Sequence, residues 1–254
     1  MKSGLLILLF ILSSCATKPE APDRVGRASY AFVDASGKYS FDRENKIVNK
    51  RLVSRVTLTD VKSRKLVEKS ITVSQIGTIK NKKSRIVTVR PMASEFTVWL
   101  EGKKYSSVMR LDTKNKSMTV QVESPDAKVN GTSQVAFPKG SYFCFYSQIP
   151  DCLYHNQFLQ RSIKKPNEEL NFYVVWDAYP FIQEQYNGIG HKLFERAQLK
   201  FEGEVKKNLR YMVELEGQAI HYNFSEAFDL VNMSWIAQGI TVVPPGEEIP
   251  DEEQ

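Results

Sequence analysis

The chain has 254 residues, 42% of them apolar and 25% charged, with a formal net charge of +6. Those proportions exclude a disordered chain and leave room for a proper core. The charge is unevenly split: residues 24–116 hold 22 Lys and Arg against 8 Asp and Glu, and residues 117–254 hold 11 against 19. A basic half suits anionic lipid, an anionic envelope polymer or an acidic protein partner. Equally, strands from the two halves can pair and neutralise each other. No recognition-helix pattern accompanies the charge, so nucleic acid is not an expected partner.

In chain order, the first feature is an apolar run, Leu5 to Leu12, preceded by Lys2 and followed by Ser13, Ser14 and Cys15. A membrane-crossing helix takes about 20 residues, so this run is too short and has the layout of a secretory signal. Leu12-Ser13-Ser14-Cys15 resembles the lipobox of bacterial lipoproteins, a resemblance confined to residues 1–15. It implies removal of signal peptide 1–14, a diacylglyceryl group on the Cys15 thiol and a fatty acyl group such as palmitate on the new amino terminus. Ala16 after the cysteine implies the outer membrane, with the protein expected on its periplasmic side. An ordinary signal peptide with a chance cysteine is the alternative. Residues 15–26, with Pro19 and Pro22, then read as a tether, extended at about 3.1 Å per residue.

Residues 27–243 read as a single all-β domain. Apolar and polar residues alternate: Leu52, Val56 and Leu58 share a strand face, as do Val67, Ile71 and Val73, then Phe96, Val98 and Leu100, then Met118, Val120 and Val122. Turn-forming groups separate them, at Asp34–Gly37, Asn81–Ser84, Glu101–Lys103 and Asp112–Asn115. Connections this short force antiparallel neighbours. Many long strands in meander order must twist and coil, giving a curved half-barrel or, alternatively, a sandwich. A lipid-spanning barrel lacks its apolar band and aromatic girdles here.

Cys144 and Cys152 are expected to form a disulfide outside the cytoplasm. A metal site is the rival, with His155 nearby, but His191 and His221 share no short ligand spacing with it. Asp151 to Ser162 suggests a short helix capped by Asp151.

Aromatic residues concentrate in one window: residues 142–186 hold 12 of the 28 in the chain. A packed aromatic core is one reading. The other is an apolar pocket for an acyl chain or aromatic ligand, with Phe145, Tyr146, Phe172, Trp176, Tyr179 and Phe181 as candidate contacts.

Further along, a three-residue loop, Lys206–Asn208, pairs Val205 with Leu209, Phe201 with Val213 and Glu204 with Arg210. A two-residue loop would invert the faces. Glu202, Glu204, Glu214 and Glu216 then lie on a solvated face rather than in a catalytic cluster. Residues 244–254, with five acids and three prolines, read as a disordered acidic tail.

Catalytic signatures are absent: there is no G-x-S-x-G, H-E-x-x-H or phosphate-binding glycine loop. Ser162-x-x-Lys165 matches the first element of penicillin-binding enzymes, but Pro166 follows at once and no K-T-G partner occurs in the mature chain. Architecture and address together are similar to periplasmic carriers of the LolA/LolB type, curved antiparallel sheets that hold acyl chains in a concave face. The expectation is a non-catalytic lipoprotein without metal or cofactor that binds a lipid or other hydrophobic envelope component. An envelope scaffold using its basic surface is the alternative.

Overall fold

A computed structural model describes residues 26–247, except 82–83, 141, 167 and 182–186. The described residues form one open sheet of fifteen strands. The first half is a plain meander: β1 (Gly26–Asp34), β2 (Gly37–Val48), β3 (Arg51–Asp60), β4 (Leu66–Asn81), β5 (Ser84–Leu100), β6 (Lys103–Asp112), β7 (Ser117–Glu123) and β8 (Gly131–Ala136). An insert follows: β9 (Phe143–Phe145), a short 3-10 turn, α1 (Ile149–His155) and α2 (Phe158–Lys164). The second half comprises β10 (Leu170–Val175), β11 (Phe194–Val205), β12 (Asn208–Leu215), β13 (Gln218–Phe224), β14 (Leu230–Trp235) and β15 (Ile240–Val243).

β15 pairs with β1, joining the halves and leaving β8 and β9 as the two edges. Every pairing is antiparallel except β9–β10. The sheet rolls so far that β9 lies against β5. The edges also meet through Phe137, just after β8, whose ring packs on Phe143 and Phe194 at 5.0 and 4.7 Å between centroids. The sequence-predicted all-β meander of long, coiled strands is what the chain forms, although the roll is not closed by hydrogen bonds.

Alternation places the core correctly on most strands. Leu52, Val56 and Leu58 of β3 point into the hollow, as do Phe96 and Val98 of β5 and Met118, Val120 and Val122 of β7. β4 is the exception. Its Ser70, Thr72 and Ser74 are buried, while Val67, Ile71 and Val73 are half-buried on the other face. Register fixes this, because Ser70 sits opposite Val56 on one side and Phe96 on the other. Side chains directly opposite share a face.

Two further expectations are corrected. The β11–β12 loop has two residues, Lys206 and Lys207, both with positive φ, and Val205 pairs with Asn208. A bulge between Phe201 and Gly203 then absorbs one residue, so Leu199 faces Val213 and Phe201 faces Tyr211. Two paired φ > 0 residues suit the twist of a hairpin better than a three-residue loop, and the bulge restores the faces. Glu202, not Glu204, consequently meets Arg210, at 3.0 Å. In the insert there are two helices rather than one, and Gln148 rather than Asp151 precedes the first. Asp151 instead turns its carboxylate into the hollow.

Candidate functional site

The insert plugs the hollow, and polar pairs fix it there. The disulfide Cys144–Cys152 staples β9 to α1, with both cysteines buried. Asp151 has no exposed side-chain surface and lies 3.2 Å from Arg43 of β2. Asn45 donates to the same carboxylate at 2.9 Å and accepts from Ser54. Ser74 of β4 donates to Gln148 Oε1 at 2.6 Å, and the Gln148 amide donates to the Thr72 carbonyl. Asn156 accepts from the Val89 backbone N–H at 2.9 Å. Of the inward serines of β4, Ser74 thus meets the polar insert. A buried polar group left without a partner costs about 1–3 kcal/mol, so this fit fixes the position of the insert.

Beside the plug, an apolar cavity of about 90 Å3 remains between the insert and strands β1–β5 and β13–β15. Phe32, Phe41, Val56, Leu58, Phe96 and Tyr146 line one part, and Tyr222, Leu230, Met233 and Val242 another. Arg43, Glu68 and Asp177 are its charged members. Asp177 is buried; it accepts from the Ser70 hydroxyl at 2.6 Å and from the Ser147 backbone N–H at 3.2 Å. Burial pushes the Asp177 carboxyl above its ordinary value, partly offset by those donors. Burial likewise raises the Tyr222 hydroxyl.

A second, polar chamber of about 280 Å3 adjoins it, lined by Gly26, Arg27, Tyr30, Asn45, Asp151 and Asp229 among others. Arg43 and Leu230 line both spaces and so form their shared wall. The Tyr30 hydroxyl donates to the Leu230 carbonyl at 3.1 Å, holding that wall to β1.

Of the six aromatic residues singled out from sequence, Tyr146 lines the apolar cavity. Trp176 is fully buried behind it, 4.8 Å away between ring centroids. Phe145 is fully buried, Phe172 packs near Phe158 at 6.3 Å, Phe181 lies edge-on to Tyr105 at 5.3 Å, and Tyr179 is half-buried against the core. The window is therefore mostly packed core, with a cavity on the far side of Tyr146. Sequence reasoning missed Arg43, Asn45, Asp151 and Asp177. Their signal was the run of alternate small polar residues at Ser70, Thr72 and Ser74, which reads as a solvated face until the insert is seen.

Other candidate groups have local roles. The Ser162 hydroxyl donates to the Phe158 carbonyl at 2.7 Å. Glu204, Glu214 and Glu216 are exposed. Among the described residues, no group of three His, Cys, Asp or Glu is placed to hold a metal ion. No protein-family model, curated protein or solved structure matches the chain.

Proposed function

We propose that this chain is a non-catalytic envelope lipoprotein, anchored through acylated Cys15, that holds a hydrophobic ligand in the hollow of its sheet. The supporting observation is the apolar cavity between the sheet and its stapled insert, walled by aliphatic and aromatic side chains. Its size limits the ligand. A water-sized group takes about 30 Å3, and pockets for whole small molecules run to roughly 300 Å3 or more. A space of about 90 Å3 takes the end of an alkyl chain or part of a ring. The polar remainder of such a ligand fits the adjoining chamber, past Arg43 and Leu230. A lipid-derived amphiphile meets both requirements.

The test is a competition between a filled cavity and an open one. Binding of a fluorescent fatty acid by residues 26–254 is compared with that by Leu58→Trp, whose indole occupies the cavity. Saturable binding lost in the filled variant supports the reading. Equal binding by both proteins excludes this cavity.

A further inference from the structure

Resting on the reading of the apolar cavity as the ligand site, we infer that the cavity is a cage for an alkylammonium group, whose positive charge is met by Asp177 and Glu68. Such a group is apolar over most of its surface, so it belongs among the ligand ends that a hydrophobic space admits.

Strand register sets the floor of the cavity. Phe41 of β2 lies opposite Leu58 of β3, Leu58 opposite Glu68 of β4, and Glu68 opposite Val98 of β5. The neighbouring row runs through Arg43, Val56, Ser70 and Phe96. Side chains directly opposite share a face, so Glu68 points into the hollow with Leu58 and Val98, which are both buried. Glu68 and Ser70 are next neighbours on that face, roughly 7 Å apart along the strand. The Ser70 hydroxyl holds the Asp177 carboxylate at 2.6 Å, so both acids stand over the same stretch of β4. Arg43 lies two strands away, roughly 10 Å. A second wall comes from the other half of the sheet, where Phe32 pairs with Val242, Val242 with Met233 and Met233 with Tyr222.

The two buried aspartates of the hollow have different company. Asp151 has a cation of its own, Arg43 at 3.2 Å, and Asn45 besides. Asp177 is nearly as deeply buried, yet both its donors, the Ser70 hydroxyl and the Ser147 backbone N–H, are neutral. Each carboxylate oxygen takes one of them and has room for a second bond. Arg43 is the one base among the described lining residues. Two carboxyl groups therefore line the cavity against one guanidinium, and that guanidinium is committed to Asp151. A buried charge is costly unless it is paired, and the same cost pushes the Asp177 carboxyl above its ordinary value. A bound cation removes it.

The remaining lining suits the same guest. Phe32, Phe41, Phe96, Tyr146 and Tyr222 place five aromatic rings around the space. Ring faces attract cations, and rings grouped into a cage hold quaternary ammonium groups. An alkyl end needs neither acid, and an anion is repelled by both. The volume of about 90 Å3 is three times the roughly 30 Å3 share of a water molecule, the scale of three methyl groups on one nitrogen. The rest of the amphiphile passes Arg43 and Leu230 into the polar chamber.

Every described strand and its partner lie within residues 26–247, so a chain from Gly26 keeps the whole fold without the anchor. Its uptake of choline is measured by equilibrium dialysis, beside that of dimethylbutanol, the uncharged carbon isostere, and of the fluorescent fatty acid. Choline should bind more tightly than dimethylbutanol by about tenfold or more, because charge alone distinguishes the two. Asp177→Asn should bring choline down to the level of dimethylbutanol. Glu68→Gln, a second neutralisation at a half-buried position, should weaken choline severalfold, and it serves alone if thermal melts show Asp177→Asn to be unfolded. Equal or tighter binding of dimethylbutanol, or choline binding that no folded variant weakens, overturns the inference and leaves a hydrophobic ligand site in place. So does uptake of the fatty acid alone. Uptake of none of the three removes the ligand site itself, and the ammonium cage with it.

Discussion

Arg43 on β2 meets Asp151 on α1 at 3.2 Å across the hollow, a buried ion pair joining residues 108 positions apart in sequence. It connects the two functions of the fold. One partner belongs to the sheet that shapes the cavity, and the other to the plug that closes it.

Removing one member of that pair strands the other. Asp151→Ala should destabilise the protein by about 3–5 kcal/mol in denaturant unfolding. Arg43→Met combined with Asp151→Leu should recover much of the loss, because an apolar pair avoids the cost of an unpaired buried charge. If the double variant is as unstable as the single, the ion pair is not what sets the cost.

The disulfide should contribute measurably despite its short loop. Cys144→Ala/Cys152→Ala is expected to lower stability by roughly 2–3 kcal/mol, mostly by freeing the unfolded chain. The change is read from unfolding midpoints, with the parent in reducing buffer as a second comparison.

Trp176→Ala should act on stability before it acts on any ligand. The indole is fully buried in the core, so its truncation should cost about 3–5 kcal/mol in a melt. Leu58→Trp at the cavity wall should cost far less while blocking uptake. The pair of variants separates core from cavity.

Glu195 supplies a pH signature. It is 7% exposed and, through burial and the adjacent Glu216 carboxyl, its pKa is pushed up to about 7 from an ordinary 4.5. The folded protein therefore holds a proton that the unfolded chain releases. Stability from this group is full below about pH 4.5 and falls as pH rises to about 7. Glu195→Gln should flatten that decline in midpoint against pH. A parent profile that rises across the same window would contradict it.

The parts legible in sequence were those governed by neighbours along the chain. Leu52, Val56 and Leu58 announced a strand with one wet face, and Cys144 with Cys152 announced a staple. Local turns such as Asp34–Gly37 behaved similarly, Asp34 accepting from the Ser36 and Gly37 N–H groups. What stayed hidden depended on distant partners. Ser70 and Ser74 are inward where Asp177 and Gln148 meet them, which no periodicity encodes. Asp151 resembled a helix cap because its true partner, Arg43, is far away in the chain. The bulge between Phe201 and Gly203 likewise reconciles a tight turn with the required faces, and charge pairing alone pointed to a different register.

The central claim is that the hollow carries a hydrophobic ligand, and mass spectrometry of an organic extract of purified residues 26–254 tests it most directly. The account predicts a lipid or other amphiphile in stoichiometric amount, depleted in Leu58→Trp. An extract with no such molecule, from protein expressed in a bacterial envelope, would contradict it.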